Sequence, residues 1–141
     1  MGKNLIITYV DKPEEAAWGI IGQGVHEYNL KQAGEMDFHR ICYVLQSPEG
    51  QVLGGVIGEL YWDWFYLDLM WIQEDQRGKG YGKQLLSAIE EDAKKKGAKH
   101  VFLDTFSFQA PGFYQKYGYQ VFGELPDFPP GNQRYYLTKE L

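Results

Sequence analysis

Hydrophobic and polar residues alternate in several short stretches of the chain, and this period of two predicts β-strands. The strongest alternation falls in the stretch rich in valine, isoleucine and aromatic residues between positions 38 and 72. The turn Ser47-Pro48-Glu49-Gly50 divides that stretch, so it predicts an antiparallel meander. The predicted strands cover residues 4–10, 38–46, 51–61, 64–72, 98–106, 119–123 and 134–139.

A helical period of hydrophobic residues appears between residues 78 and 96, where an apolar stripe is formed by Leu85, Leu86, Ile89 and Ala93. Lysines and Gly97 follow, as is typical of a helix C-terminus. A short helix is predicted over residues 111–117. Residues 13–31 are also helical in pattern, but three glycines in that segment leave two short helices or a flexible segment as alternatives to one continuous helix.

The order of these elements predicts the architecture. The last strand of the meander, residues 64–72, is followed by the helix and by the strand of residues 98–106, which is the arrangement of a right-handed crossover between parallel strands. We therefore expect an α/β protein with one mixed sheet and helices packed against it. The sequence contains no repeat, low-complexity tract or linker, so residues 1–141 are predicted to form a single domain.

The composition narrows the class of function. A net charge of −5 disfavours a nucleic-acid partner and favours a cationic or amine-bearing substrate. The single cysteine, Cys42, excludes an internal disulfide, and its alternating surroundings predict that it is buried. The histidines lack the spacing of a zinc site, so no metal is predicted. No apolar run is long enough to cross a membrane, and the first residues do not resemble a secretory signal, so we expect a cytoplasmic protein.

The segment from Gln76 to Leu86 carries three glycines and three cations at the predicted start of a helix. Helix N-termini normally attract acids, because they carry unsatisfied amides and positive dipole charge. Cations combined with glycines at this place predict an anion site, in which the absence of β-carbons lets a phosphate approach the backbone. A glycine-rich turn with solvated lysines is the alternative. The spacing fits neither a Walker A loop nor a dinucleotide-binding fingerprint.

The pattern Arg-x-x-Gly-x-Gly, formed by Arg77, Gly80 and Gly82, resembles the acetyl-CoA signature of the GNAT family of N-acetyltransferases. Residues 67–72 resemble the family's fourth strand, and Ala110-x-x-x-Tyr114-x-x-x-Gly118-Tyr119 resembles its C-terminal motif. This resemblance implies a GNAT fold with a mixed sheet of about six or seven strands, helices on both faces, and a splay between strands four and five. It implies acetyl-CoA as co-substrate and a small-molecule amine as acceptor.

The resemblance also implies roles for individual residues. The backbones of Met70, Trp71 and Ile72 would face the pantetheine arm, and the pyrophosphate would be bound by Arg77, Gly78, Lys79, Gly80, Tyr81, Gly82 and Lys83. Tyr114 matches the family's general acid, with an aromatic packing role as the alternative. Ser107 stands where many members carry a cofactor-binding asparagine; its hydroxyl, or Gln109 nearby, could replace that contact.

Other assignments stay open at the level of sequence. Asp68 and Glu59 are both candidates for the general base or for binding the substrate ammonium, and both could equally be solvated strand carboxylates. The aromatic belt of residues 61–66 predicts either a cation-binding pocket or, through Trp62 and Trp64, a homodimer interface. By the same resemblance, residues 125–132 would cover the acceptor end of the cleft. A domain that binds acyl-CoA without transferring it is the alternative to an enzyme.

Overall fold

A computed structural model describes residues 4–141. Its contacts separate two units, one ending at Met36 and the other comprising Asp37–Leu141. In the first unit a 3₁₀ turn, Pro13–Glu15, precedes one continuous helix, α1 (Ala17–Ala33). Helix α1 ends at Gly34, which has φ of +80° and donates its N–H to the carbonyl of Leu30.

The strand predicted over residues 4–10 is wrong. A strand needs a neighbour to receive its backbone hydrogen bonds, and within the described part of the chain residues 4–10 pair with no other segment. Ile6 and Ile7 are exposed, so the β-branched composition that suggested a strand does not reflect burial. The composition of a segment gives its propensity to form a strand. Whether the segment forms one depends on whether another strand lies beside it to receive its hydrogen bonds.

The second unit is a six-stranded mixed sheet with helices, which confirms the predicted fold class. Its elements are β1 (Phe38–Gln46), β2 (Val52–Tyr61), β3 (Trp64–Ile72), α2 (Tyr81–Lys95), β4 (His100–Phe106), α3 (Pro111–Lys116), β5 (Gln120–Pro126) and β6 (Gln133–Glu140). The strand order in the sheet is β1-β2-β3-β4-β6-β5, and β3 and β4 are the parallel pair.

The core of this unit lies between α2 and one face of the sheet. The predicted stripe of α2 is buried, and Ile89 and Ala93 are fully enclosed. Alternate residues of the central strands meet it, among them Phe65, Val101 and Leu137. Burying a side chain of this size stabilises the fold by roughly 1.5–3 kcal/mol, so the contact between α2 and the central strands fixes where the first turn of α2 lies.

The prediction that Cys42 is buried is wrong, because the side chain is exposed on β1. Successive strand residues point to opposite faces. Ile41, the neighbour of Cys42, is buried against the core, so Cys42 points to the other face.

Two further surveys cover residues 4–141. No helix there is both long and apolar enough to cross a membrane. No group of three or more histidine, cysteine, aspartate or glutamate side chains is arranged there to hold a metal ion.

Candidate active site

A gap opens between the parallel strands β3 and β4. Their ladder joins residues Trp64–Tyr66 to His100–Phe102 and stops there. Beyond it, β3 continues beside β2 and β4 continues beside β6. A cavity of about 730 Å³ lies at this opening and is lined by the ends of both strands. The gap leaves one edge of the second half of β3 without a strand partner, which is where an extended ligand could add hydrogen bonds.

A β-bulge shapes the β3 side of this gap. Ile57 pairs with Leu69 and Gly58 pairs with Leu67, so Asp68 is the extra residue. Before the bulge Phe65 and Leu67 face the core, whereas after it the alternation shifts by one residue. Consequently Met70 and Ile72 pack against the core, and Trp71 points away from it. These three residues, which the sequence assigns to the cofactor, all line the opening.

The glycine-rich segment forms a second cavity, of about 460 Å³, which is continuous in its lining residues with the first. Gly78 and Gly80 have φ of +74° and +85°, a region that favours glycine. Apart from the glycine and its two chain neighbours, no atom of residues 4–141 lies within 4 Å of a β-carbon added at either position, so the space beside this backbone is open. A cradle with this shape and no filling side chain suits a phosphate group.

The amides at the start of α2 are available to an anion. Gly80 is the N-cap and provides no side-chain cap. The first helical amide with an acceptor is that of Gln84, which donates to the carbonyl of Gly80, so the amides of Tyr81, Gly82 and Lys83 precede the hydrogen-bonded ladder. No acid occupies the first turn. Six of the predicted pyrophosphate residues therefore line one cavity at this helix end, namely Arg77, Gly78, Gly80, Tyr81, Gly82 and Lys83. The seventh, Lys79, does not line it and donates to the side chain of Gln76 at 3.4 Å.

Tyr114 lies where the two cavities meet and lines both. It sits on α3 and is 8% exposed, and its hydroxyl lies 3.8 Å from the Sδ of Met70. Burial raises the pKa of Tyr114 to about 12, so the phenol is protonated at neutral pH. Edge-to-face contacts with Phe113 and Tyr119 hold its ring. Tyr114 therefore packs in the core through its ring and also lines both cavities.

The two candidate carboxylates lie in different places. Asp68, on the bulge of β3, lines the larger cavity, and within residues 4–141 its carboxylate accepts no hydrogen bond from another side chain. Glu59, on β2, accepts hydrogen bonds from Tyr61 at 2.8 Å and from Arg40 at 3.4 Å. Glu59 is not among the residues that line either cavity.

Ser107 and Gln109 also differ in position. Ser107 joins the end of β4 to β6, since its Oγ accepts the amide of Gln133 at 3.1 Å, and it lines neither cavity. Gln109 lines the larger cavity, and its Oε1 accepts the amide of Phe106 at 2.8 Å. The side-chain amide of Gln109 is therefore fixed at the opening.

A cluster that the sequence analysis did not identify lies on the β4 side of the larger cavity. Asp104 accepts a hydrogen bond from the Tyr66 hydroxyl at 2.9 Å and pairs with Arg134 at 2.9 Å. The signal in the sequence was faint. Asp104 is the one acidic residue of β4, but its partners are 38 and 30 residues away along the chain.

The aromatic belt of residues 61–66 and the loop between β5 and β6 contact different residues. Trp64 stacks on His100, with ring centroids 4.3 Å apart, and Trp62, at the β2–β3 turn, is 42% exposed. Of the belt, Tyr66 alone lines the larger cavity. Phe128, in the loop between β5 and β6, packs against Arg134. That loop therefore contacts the cavity wall through Arg134.

Comparison with known proteins identifies the class. Residues 8–119 match the model of the acetyltransferase (GNAT) family. The blasticidin-S acetyltransferase of Streptomyces morookaense is 40% identical over 67% of this chain and 71% of its own length. A crystal structure of an acetyltransferase from Bacillus cereus superimposes with a TM-score of 0.86 at 35% identity, covering 98% of each chain. The chain therefore belongs to the GNAT family and is an N-acetyltransferase.

The donor follows from the family. GNAT acetyltransferases use acetyl-CoA, and a Bacillus anthracis protein of this fold was crystallised with acetyl coenzyme A. That protein superimposes with a TM-score of 0.64 at 20% identity, over 72% of this chain and 62% of its own. The open glycine cradle and the unpaired edge of β3 fit such a ligand, whose phosphates and extended arm need those two features.

Proposed function

We propose that this protein transfers an acetyl group from acetyl-CoA to the primary amine of a small molecule by direct attack, with Tyr114 as proton donor to the leaving sulfur. The observation that carries the proposal is the position of the Tyr114 hydroxyl, buried beside Met70 where the two cavities meet. One cavity offers the phosphate cradle and the other offers a carboxylate for an amine. The similarity to a blasticidin-S acetyltransferase supports a small-molecule acceptor.

The acceptor must first lose a proton. An alkyl amine has a pKa near 10.4, so at neutral pH it arrives as an ammonium ion without a free lone pair. Asp68 lines the larger cavity and has no ion-pair partner among residues 4–141, and in this proposal it would bind that ammonium and receive its proton directly or through water. Glu59, which is bound to Tyr61 and Arg40, is the weaker of the two predicted candidates.

The leaving thiolate must gain a proton, whereas the acceptor amine must lose one. A thiol has a pKa of about 8.5, well below the value of about 12 for Tyr114. The phenol therefore donates a hydrogen bond to the sulfur as charge develops, and complete transfer of its proton is coupled to recovery of a proton from the attacking nitrogen. A buried tyrosinate never has to persist in this scheme, which suits a site that penalises charge.

The proposed cofactor contacts are assigned to residues that line the two cavities. The amides at the start of α2 and the glycine cradle would bind the pyrophosphate, helped by Arg77 and Lys83, which line the same cavity. The part of β3 at Met70, Trp71 and Ile72, which has no strand partner on the side of β4, would bind the extended arm. The carbonyl of Ile72 there already accepts Arg77 Nε at 2.8 Å. Gln109 rather than Ser107 would make the cofactor contact that many family members make through an asparagine, since Gln109 lines the cavity and Ser107 does not.

The decisive experiment incubates the protein with acetyl-CoA and a panel of primary amines while free thiol is titrated. Amine-dependent thiol release, together with an acetylated product of the expected mass, supports the proposal. The absence of amine-dependent thiol release for every member of the panel would overturn a small primary amine as the acceptor.

The sequence also suggested a homodimer and a cytoplasmic location, and both stay predictions. Trp62 supports the first, because its large apolar ring is partly exposed at the end of the β2–β3 hairpin.

A further inference from the structure

The carboxylate of Asp104 is shared between two donors from different strands. Its Oδ2 accepts the hydroxyl of Tyr66 at 2.9 Å, and its Oδ1 pairs with the guanidinium of Arg134 at 2.9 Å. Tyr66 is the last residue of β3 that is paired with β4, so this contact lies at the closed end of the gap. Both oxygens of Asp104 are therefore engaged before any acceptor arrives.

Arg134 is held by more than this ion pair. Its guanidinium carbon lies 5.0 to 5.6 Å from the centroids of three aromatic rings, those of Phe106, Phe128 and Tyr136. These rings come from β4, from the loop between β5 and β6, and from β6. A guanidinium stacks well on aromatic faces, and several such contacts fix its direction. Arg134 is thus a fixed cation in the cavity wall.

Four charged side chains line the larger cavity, and three of them have a partner of opposite charge in the protein or in the acetyl donor. They are Asp68, Asp104, Arg77 and Arg134. Arg77 also lines the glycine-rich cavity, where the phosphates of the donor would neutralise it. Arg134 neutralises Asp104. Asp68 remains as the one lining carboxylate that has no ion-pair partner among residues 4–141.

We propose that Arg134 determines how many positive charges the acceptor can carry near its reacting end. Because Arg134 pairs with Asp104, the cavity keeps one uncompensated carboxylate, that of Asp68, which can bind one ammonium group. This inference rests on the proposed function and adds a substrate class to it, amines with a single cation near the reacting end. A second ammonium in the cavity would meet Arg134 instead of a free carboxylate, and like charges repel across a partly desolvated space.

The test compares diamines with monoamines of equal length, namely 1,3-diaminopropane, 1,4-diaminobutane and 1,5-diaminopentane against propylamine, butylamine and pentylamine. The quantity is the ratio of kcat/KM for diamine to that for monoamine. Arg134→Gln frees Asp104 and is expected to raise this ratio by about ten-fold or more for at least one chain length, since hydrogen bonds to charged groups are strong. Arg134→Lys keeps the charge and should stay near the wild-type ratio.

A double variant and a matched control complete the design. Asp104→Asn combined with Arg134→Gln removes the freed carboxylate and should return the ratio to the wild-type value. Arg40→Gln is the control, because Arg40 also pairs with a carboxylate and lies over a ring but lines neither cavity. Thermal melting and acetyl-CoA affinity show that each variant is folded.

Two results overturn the inference. The first is an Arg134→Gln variant that loses activity on both amine series with an unchanged ratio, which would make the Arg134 cluster a structural support only. The second is the absence of any gain on diamines, whether or not the wild type uses these amines. Failure of the proposed function is a different observation, since no variant and no amine would then release thiol.

Discussion

The hydroxyl of Tyr114 lies 3.8 Å from the Sδ of Met70, which joins the short helix α3 to the part of β3 that has lost its neighbour β4. Thioether sulfur is a weak acceptor, so this contact leaves the phenol free to exchange partners. Met70 faces the core because the bulge at Asp68 shifts the alternation of β3. The bulge therefore positions the partner of the proposed proton donor.

Replacing Tyr114 with Phe keeps the ring packed and removes the donor. We expect turnover to fall by at least roughly ten-fold, and by up to about 10⁴-fold if no water takes over, because general-acid assistance has about this magnitude. Acetyl-CoA affinity should change little. The measurements are steady-state kinetics and calorimetry.

Tyr119→Phe is the matched control for that prediction. Tyr119 is also buried, but its hydroxyl donates to Glu90 at 2.6 Å and it lines neither cavity. This variant should lose stability and retain turnover. Wild-type turnover in Tyr114→Phe would assign Tyr114 to packing alone.

Replacing Gly80 with Asp tests the phosphate cradle. The residue has φ of +85°, so the substitution adds some backbone strain, and it adds a negative charge beside the proposed phosphates. We expect acetyl-CoA binding to be lost. Gly97→Asp is the control, since Gly97 also has positive φ and open space but follows the far end of α2. Equal acetyl-CoA affinity in the two variants, measured by calorimetry, would refute the cradle.

Replacing Asp68 with Asn removes the proposed ammonium-binding carboxylate and keeps its size. We expect kcat/KM for the amine to fall by about 10²-fold or more, with acetyl-CoA affinity unchanged. Glu59→Gln should have a much smaller effect, because Glu59 lies outside both cavities. If Glu59→Gln proves the more damaging change in amine kinetics, the assignment to Asp68 fails.

Gly58 faces a crowded neighbour across the β2–β3 pair. An added β-carbon would lie 2.3 Å from the Cζ of Phe65 and 2.5 Å from the carbonyl oxygen of Tyr66. Gly58→Ala should therefore lower the free energy of unfolding by about 1–3 kcal/mol. Gly112→Ala, with no atom within 4 Å of the added carbon, serves as the control. Chemical denaturation of both variants decides, and equal stability would contradict the packing described for the bulge region.

The predicted dimer can be tested through Trp62. If its exposed ring lies in an interface, Trp62→Ala should shift the sedimentation of the protein from dimer to monomer at micromolar concentration. A wild-type protein that already sediments as a monomer would reject the interface.

Much of the second unit was predictable because its signals are local. The strands of the meander begin and end within one residue of their predicted limits, and the stripe of α2 is buried as its period indicated. Pairing was less predictable. Residues 4–10 have a strand-like composition, but they have no strand partner among the described residues 4–141. Cys42 has apolar neighbours in the sequence, but its side chain is exposed. A sequence pattern does not show which residues pack against a given face of a strand.

By itself the sequence determined the fold class, the family resemblance and the segments from which a site could be built, because periodicity, glycines and turn residues act over a few neighbouring positions. Only the tertiary structure decided that Asp68 is a bulge residue at the cavity, that Glu59 lies outside it, and that Asp104 is engaged by Tyr66 and Arg134. Those relationships depend on the register of strands and on contacts between residues about 30 or more positions apart. Such distances are fixed by packing of the whole sheet, and no short stretch of sequence encodes them.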